Sequence, residues 1–287
     1  MLIGMLGFVS LAVGCMSSTD LMVYVHIEKC AGTTVCHWLN SSHRLGNLYL
    51  KSSNLPVTAL RWTDISPTDL ADTSLRSVSS HHLRTYPDSI HGRTLRYVTM
   101  LRQPVARWIS YVRYCGLLDT GDGVRMRPLR EYAEWMLAQP ETEMRVQRNG
   151  LTNFIAEHEW FRLRGRDVIA IDWRLQPDLF ERYRRERLPL AIAALRKFDA
   201  VGTVEALPHF TRVLQARAHA WDIPLIPVEG LSPMLVTEAP PVDASWITRG
   251  DSVGRRLLDA FTEDFELYAY AHERLHADAA ALGVASG

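Results

Sequence analysis

A run of apolar and β-branched residues, Leu21-Met22-Val23-Tyr24-Val25-His26-Ile27, ends in a short loop, Glu28 to Gly32, and passes straight into a helix-forming stretch, Thr33 to Asn40. A strand without polar alternation is buried on both faces, as strands of a parallel sheet covered by helices are. The pattern returns at Leu95-Arg96-Tyr97-Val98-Thr99-Met100-Leu101, where Pro104 stands in the first turn of a helix running on through Val105 to Tyr114. Proline suits that position because its fixed φ is already helical and its missing N–H is one the first turn leaves unbonded. Further alternation follows: a helix over Leu129 to Ala138, a strand over Asp167 to Asp172, a helix over Leu179 to Phe198, a strand over Ala200 to Val204, a helix over Pro208 to Trp221 and a closing helix over Ser252 to Ala281. This succession predicts an α/β fold with P-loop-like three-layer architecture, a central parallel sheet flanked by helices on both faces. Lys51 to Ser80, rich in Ser, Thr, Asp and Pro, reads as a connection carrying one or two short helices. Gly116 to Arg127 reads as an exposed loop, and 224–247 as a proline-dense one.

The 287 residues fit one α/β domain over 21–287, preceded by an uncharged apolar extension over 1–20. That extension lacks the basic start of a signal peptide and runs almost directly into the first strand. It is expected to pack on the domain or to reflect a start placed upstream of Met16 or Met22. The chain is accordingly expected in the cytoplasm, with membrane anchoring through the apolar segment as the alternative. Four irregularly spaced cysteines, Cys15, Cys30, Cys36 and Cys115, form neither a disulfide framework nor a zinc pattern, and no metal is expected. Lys and Arg number 32 against 32 Asp and Glu, so no global field favours nucleic acid, and any anion site must be local.

The strongest local signal is His26-Ile27-Glu28-Lys29-Cys30-Ala31-Gly32-Thr33-Thr34 at the first strand-to-helix junction. Backbone N–H groups and the positive end of a helix dipole suit an anion there. Gly32 would let the anion approach closely, while Lys29 and the two threonine hydroxyls would add contacts. A lysine ahead of the glycine is the reverse of the G-x-x-x-x-G-K-[ST] order of nucleotide triphosphatases, which argues against a kinase. In the second junction, Arg102-Gln103-Pro104-Val105-Ala106-Arg107-Trp108-Ile109-Ser110, an arginine at a strand end and a serine about two helical turns later can converge on one phosphate.

Both segments resemble the donor loops of the carbohydrate 2-O-sulfotransferase-like family, whose patterns are H-I-x-K-[TC]-[AG]-G-T-[ST] and R-[DQ]-P-x-x-R-x-x-S-x-[YF]. Asn149 to Ala156, Phe198 to Glu205 and Phe261 to Tyr270 resemble further elements of that family, so the likeness spans Leu21 to His276. It implies a sulfotransferase that moves a sulfuryl group from 3′-phosphoadenosine-5′-phosphosulfate (PAPS) to an acceptor hydroxyl. Lys29, Ala31, Gly32, Thr33 and Thr34 would hold the 5′-phosphosulfate, with Lys29 also catalytic, and Arg102 and Ser110 would hold the 3′-phosphate. The general base is expected at His82, with His81 as second choice. The acceptor would be a glycan or glycolipid; a peptide tyrosine is the alternative. A nucleotide-binding protein without turnover and a nucleotide-dependent kinase are the competing classes.

Plainer roles stand beside these. His26 is expected to support the loop or face the core, and Trp108, Tyr111 and Tyr114, at helical spacing, to pack. Arg182, Arg184, Arg185 and Arg187 read as a solvated helix face with glutamate partners.

Overall fold

The computed structural model describes residues 20–50, 60–118, 128–166, 172–227 and 243–284. Along the chain run β1 (Asp20–Val25), α1 (Gly32–His43), β2 (Asn47–Leu50), α2 (Pro67–Ala71), β3 (Ser77–Ser80), β4 (Ser89–Ile90), β5 (Arg93–Leu101), α3 (Pro104–Leu118), α4 (Leu129–Ala138), α5 (Glu141–Met144), α6 (Gly150–Arg162), α7 (Pro177–Lys197), β6 (Ala200–Thr203), α8 (Leu207–Ala220), α9 (Ser245–Thr248), α10 (Ser252–Asp259) and α11 (Thr262–Ala281). Five strands lie parallel in the order β2-β3-β1-β5-β6, and β4 adds a two-residue antiparallel pairing to the start of β5. The predicted α/β class with a central parallel sheet is what the chain forms.

Alternate residues of the central strands feed the two faces, as the period of two requires. Leu21, Val23 and Val25 join Leu151, Ile155 and Phe161 of α6 and Tyr183 and Leu195 of α7. Met22 and Tyr24 join Val35, Trp38 and Leu39 of α1 and Phe210, Val213 and Leu214 of α8 on the other face. A third cluster, with Trp108, Ala133, Met136, Leu257 and Phe261, ties α3, α4 and α10 together beside the sheet.

Three sequence-based expectations change. Ser77–Ser80 is a fully buried strand, not part of a connection. Serine has little intrinsic strand preference, but here the Ser77 hydroxyl donates to Asn47 Oδ1 at 2.7 Å and the Ser80 hydroxyl to the Leu50 carbonyl at 3.4 Å, so tertiary partners override propensity. The closing helix is two, α10 and α11, because Phe261 leaves helical geometry with φ −115 and ψ 12 and buries its ring 6.1 Å from that of Trp108. Arg187 is not solvated: its side chain is 1% exposed and paired with Glu141 and Glu263, both at 2.6 Å, while Arg184 and Arg185 remain on the surface with Glu181. The expected strand at Asp167–Asp172 falls on 167–171, and the expected loops on 119–127 and 228–242, outside the described residues; so does the extension over 1–19, with Cys15. Among the described residues no helix is long and apolar enough to cross a membrane.

The strand order positions the site. From β1 the chain moves to β2 and β3 on one side, whereas from β5 it moves to β6 on the other. The order therefore reverses between β1 and β5, and open α/β sheets bind ligands in the crevice that such a reversal leaves at the strands' carboxyl ends. Glu28 to Ala31 leaves β1 there, Arg102 and Gln103 leave β5, and His81 and His82 leave the neighbouring β3.

Candidate functional site

The loop after β1 is strained and clamped. Lys29 and Ala31 adopt left-handed φ values of 65 and 57. Each such non-glycine residue costs on the order of 1 kcal/mol, and strain of this kind persists where surrounding structure over-determines it. The clamps are visible. Arg102 Nη1 donates to the Lys29 carbonyl at 3.3 Å, Arg107 Nε donates to the Glu28 carbonyl at 3.2 Å, and Cys30 N–H closes back on the Ile27 carbonyl at 3.3 Å. Ala31 is the residue before α1, whose intrahelical bonding starts with Val35 N–H to the Ala31 carbonyl at 3.2 Å. The first-turn donors and the positive helix end thus open at the switch point. Thr33 is exposed at that end, whereas Thr34 is 4% exposed.

Gly32 is required for a steric reason that the sequence did not show. A Cβ built there would lie 1.5 Å from His26 Nε2, so the glycine makes room for an imidazole. That imidazole sits between the Tyr24 ring at 5.6 Å and the His81 ring at 3.7 Å, with Cys36 Sγ 3.8 Å from its Nδ1. His26 is therefore the buttress of the loop, and its 7% exposure fits the supporting role expected of it.

Lys29 makes no ion pair among the described residues and lies over the Tyr114 ring, its Nζ 4.3 Å from the centroid. Partial burial lowers its pKa, and the charge of Arg102 adds to this. Tyr114, 47% exposed, is thus not merely a packing residue; the ring steers the ammonium by a cation–π contact. Ser110 is partly buried on α3, about two turns from Arg102. The start of that helix is fixed from two sides. The Gln103 side chain accepts from Ala106 N–H at 2.7 Å, and Gln103 N–H donates to Glu205 at 3.1 Å. Glu205 also accepts from the Tyr268 hydroxyl at 3.0 Å, tying the end of β6 and α11 to the same place.

Of the two candidate bases, His81 has the clearer geometry. Its Nδ1 lies 2.7 Å from the His26 carbonyl. A carbonyl only accepts, so Nδ1 carries the proton and Nε2 keeps its lone pair. Burial is the main cause that lowers the His81 pKa, which keeps the ring neutral near pH 7. The His82 ring meets that of His81 edge-on at 6.2 Å, and its backbone is held by Ser80 Oγ and by Leu60 N–H.

These imidazoles make stability acid-sensitive. Burial, then the proximity of His81, pushes His26 from its ordinary 6.5 down to about 3, and burial holds His158 well below that ordinary value too. Below pH 6.5 the unfolded chain takes up protons that these two rings refuse, so stability present above that pH is lost as pH falls. The expected loss is up to about 1.4 kcal/mol per pH unit for each buried ring. Urea midpoints measured from about pH 7 to about pH 5 should fall steadily; an unchanged midpoint across that window would contradict the neutral, buried rings.

No family model matches the chain, and no curated protein matches it. Structure alone explains the outlying segments. Asp264 of α11 accepts from Leu151 N–H, Thr152 N–H and the Thr152 hydroxyl at 3.0, 2.8 and 2.9 Å, capping α6, while Asn149 Oδ1 accepts from Asp264 N–H at 3.2 Å. Asp199 accepts from Tyr97 N–H at 2.9 Å and pairs with Arg96 at 3.3 Å. Sequence reasoning missed Arg107 as the second clamp; its place in R-x-P-x-x-R was the available signal.

Proposed function

We propose that the chain is a PAPS-dependent sulfotransferase acting on an acceptor hydroxyl, in first place that of a carbohydrate. The observation that carries this reading is the 3.3 Å bond from Arg102 to the Lys29 carbonyl. It joins, at the sheet's switch point, the two loops that resemble the two halves of one donor site. A strained loop at a helix N-terminus, a lysine without a carboxylate partner among the described residues and an arginine from the adjacent strand suit a ligand with phosphates at both ends.

When bound, the donor supplies an activated sulfuryl group. The first-turn N–H groups of α1 and the Thr33 hydroxyl would bind the 5′ end, and Lys29 would hold positive charge where negative charge develops on the leaving phosphate. Arg102 and Ser110 would bind the 3′-phosphate and set the register, since transfer of this type depends chiefly on positioning and charge stabilisation. His81 Nε2, kept unprotonated by its Nδ1–H bond, would accept the proton of the acceptor hydroxyl; His82 lies beside it. Cys30, Cys36 and Cys115 form no disulfide among the described residues, which suits a reducing, cytoplasmic setting.

Calorimetric titration with adenosine 3′,5′-bisphosphate, AMP and ATP tests the reading. The bisphosphate is expected to bind most tightly, and Arg102→Ala to weaken it about tenfold to a hundredfold, as loss of a charge-assisted contact does. No preference for the bisphosphate over AMP would remove the proposal.

A further inference from the structure

Beside the donor loops lies a cavity of about 140 Å³, lined among others by Glu28, Arg84, Arg107, Arg145, Glu157 and His158. None of the residues given to the donor lines it. Its walls are fixed. Arg84 Nε donates to the His81 carbonyl at 2.9 Å while its guanidinium stacks 4.0 Å over the Phe154 ring. Arg107, 2% exposed, bridges the Glu28 and Val146 carbonyls, and Gly150 lacks a Cβ that would lie 2.6 Å from its Nη1. Asn153 pins the turn before α6 through the Arg145 and Arg148 carbonyls at 2.9 and 3.1 Å.

Three arginines line these walls against two carboxylates, Glu28 and Glu157. Glu157 Oε1 accepts from Arg145 Nε at 3.0 Å and from Trp173 Nε1 at 2.6 Å. Among the described residues neither Arg84 nor Arg107 has a carboxylate within ion-pair distance, and the terminal nitrogens of Arg84 have no hydrogen-bond acceptor. His158 is 4% exposed and kept neutral by burial and by the arginines around it. Each guanidinium keeps nitrogens with no protein acceptor among the described residues, and their planar forks match carboxylate and sulfate oxygens.

We infer that this cavity is a binding site for an oxyanion, a carboxylate, sulfate ester or phosphate ester, held by Arg84 and Arg107 with Arg145 at its rim. Arg84 stands two residues after His82 and bonds the His81 carbonyl, so an anion here lies next to the candidate base. Its carrier is either an acidic acceptor, which rests on the sulfotransferase reading, or a free small anion, which does not.

The test is sulfate binding to the full chain, titrated by calorimetry against chloride at constant ionic strength, in the unaltered protein and in Arg84→Gln, Arg145→Gln and Arg102→Ala. Circular dichroism identifies variants that fold, and Arg145→Gln covers failure of Arg84→Gln. Sulfate is expected to bind the unaltered protein, to persist in Arg102→Ala and to weaken by at least about tenfold in the folded cavity variants. Absence of sulfate binding, or the unaltered affinity in both cavity variants, overturns the inference. Displacement of sulfate by gluconate but not by glucose assigns the carrier to an acidic sugar, and sulfate unmoved by either assigns it to a free anion. Failure of the bisphosphate titration leaves this result standing, because the dependence on Arg84 is read without any nucleotide.

Discussion

Gly32→Ala is expected to cost about 3 kcal/mol of stability, at the upper end for an overpacked core, and to abolish binding at the loop after β1. The added methyl would lie 1.5 Å from His26 Nε2 and 1.7 Å from Cδ2, far inside contact distance. The ring has nowhere to go, since Tyr24 and His81 stack on its two sides and Tyr49 stands at 6.3 Å. The loop must move instead, and with it the left-handed Lys29 and the carbonyl that Arg102 grips. Thermal melts of Gly32→Ala, His26→Ala and the double variant decide the point. Removing the imidazole should relieve most of the alanine's penalty, with a coupling of about 1–3 kcal/mol. A Gly32→Ala protein that melts like the unaltered chain and still binds the bisphosphate would show that the ring does not brace the loop.

The second large effect lies away from the site. Arg187→Met should destabilise the fold by about 3–5 kcal/mol, as does removal of one member of a buried charge cluster, with Tm falling on the order of 10 °C. Arg187 Nε and Nη2 donate to Glu263 at 2.6 and 3.1 Å, its Nη1 reaches Glu141 at 2.6 Å and Asn153 Oδ1 at 3.2 Å, and so it joins α5, α6, α7 and α11. Burial opposes its charge, but Glu263 and Glu141 more than reverse this and raise its pKa. Removing the guanidinium leaves two carboxylates facing one another in its place. Arg187→Lys should recover only part of the loss, because an ammonium cannot span both partners in the same plane. Arg185→Met, on the exposed side of the same helix, should change stability by less than about 1 kcal/mol. Equal melting of Arg187→Met and Arg185→Met would refute the buried cluster.

Asn153 links this cluster to the cavity. It accepts from Tyr183 and Arg187 through Oδ1 and holds the Arg145 and Arg148 carbonyls through Nδ2. Loss of Arg187 should therefore loosen the cavity wall as well as the helix packing.

Patterns confined to a few neighbouring residues were legible in the sequence. Apolar runs placed β1, β5 and β6, and the 3.6-residue period and Pro104 placed α3, α4, α7 and α8, because burial pattern and backbone preference act over short spans. The short loop after β1, read as Glu28 to Gly32, was found for the same reason, as was the order of the two junctions. Ser77–Ser80 was not, since its strand character comes from Asn47 and Leu50 on a neighbouring strand. Only the folded chain brings Arg102 to a carbonyl 73 residues away and His81 to one 55 residues away. It alone decides that Gly32 serves an imidazole, that Arg187 is a buried tie while Arg185 stays in water, and that Arg84 and Arg107 share a cavity. These outcomes depend on which distant elements meet, and on what water is removed when they do. Desolvation and charge pairing belong to the assembled surroundings of a side chain, and no stretch of sequence encloses them.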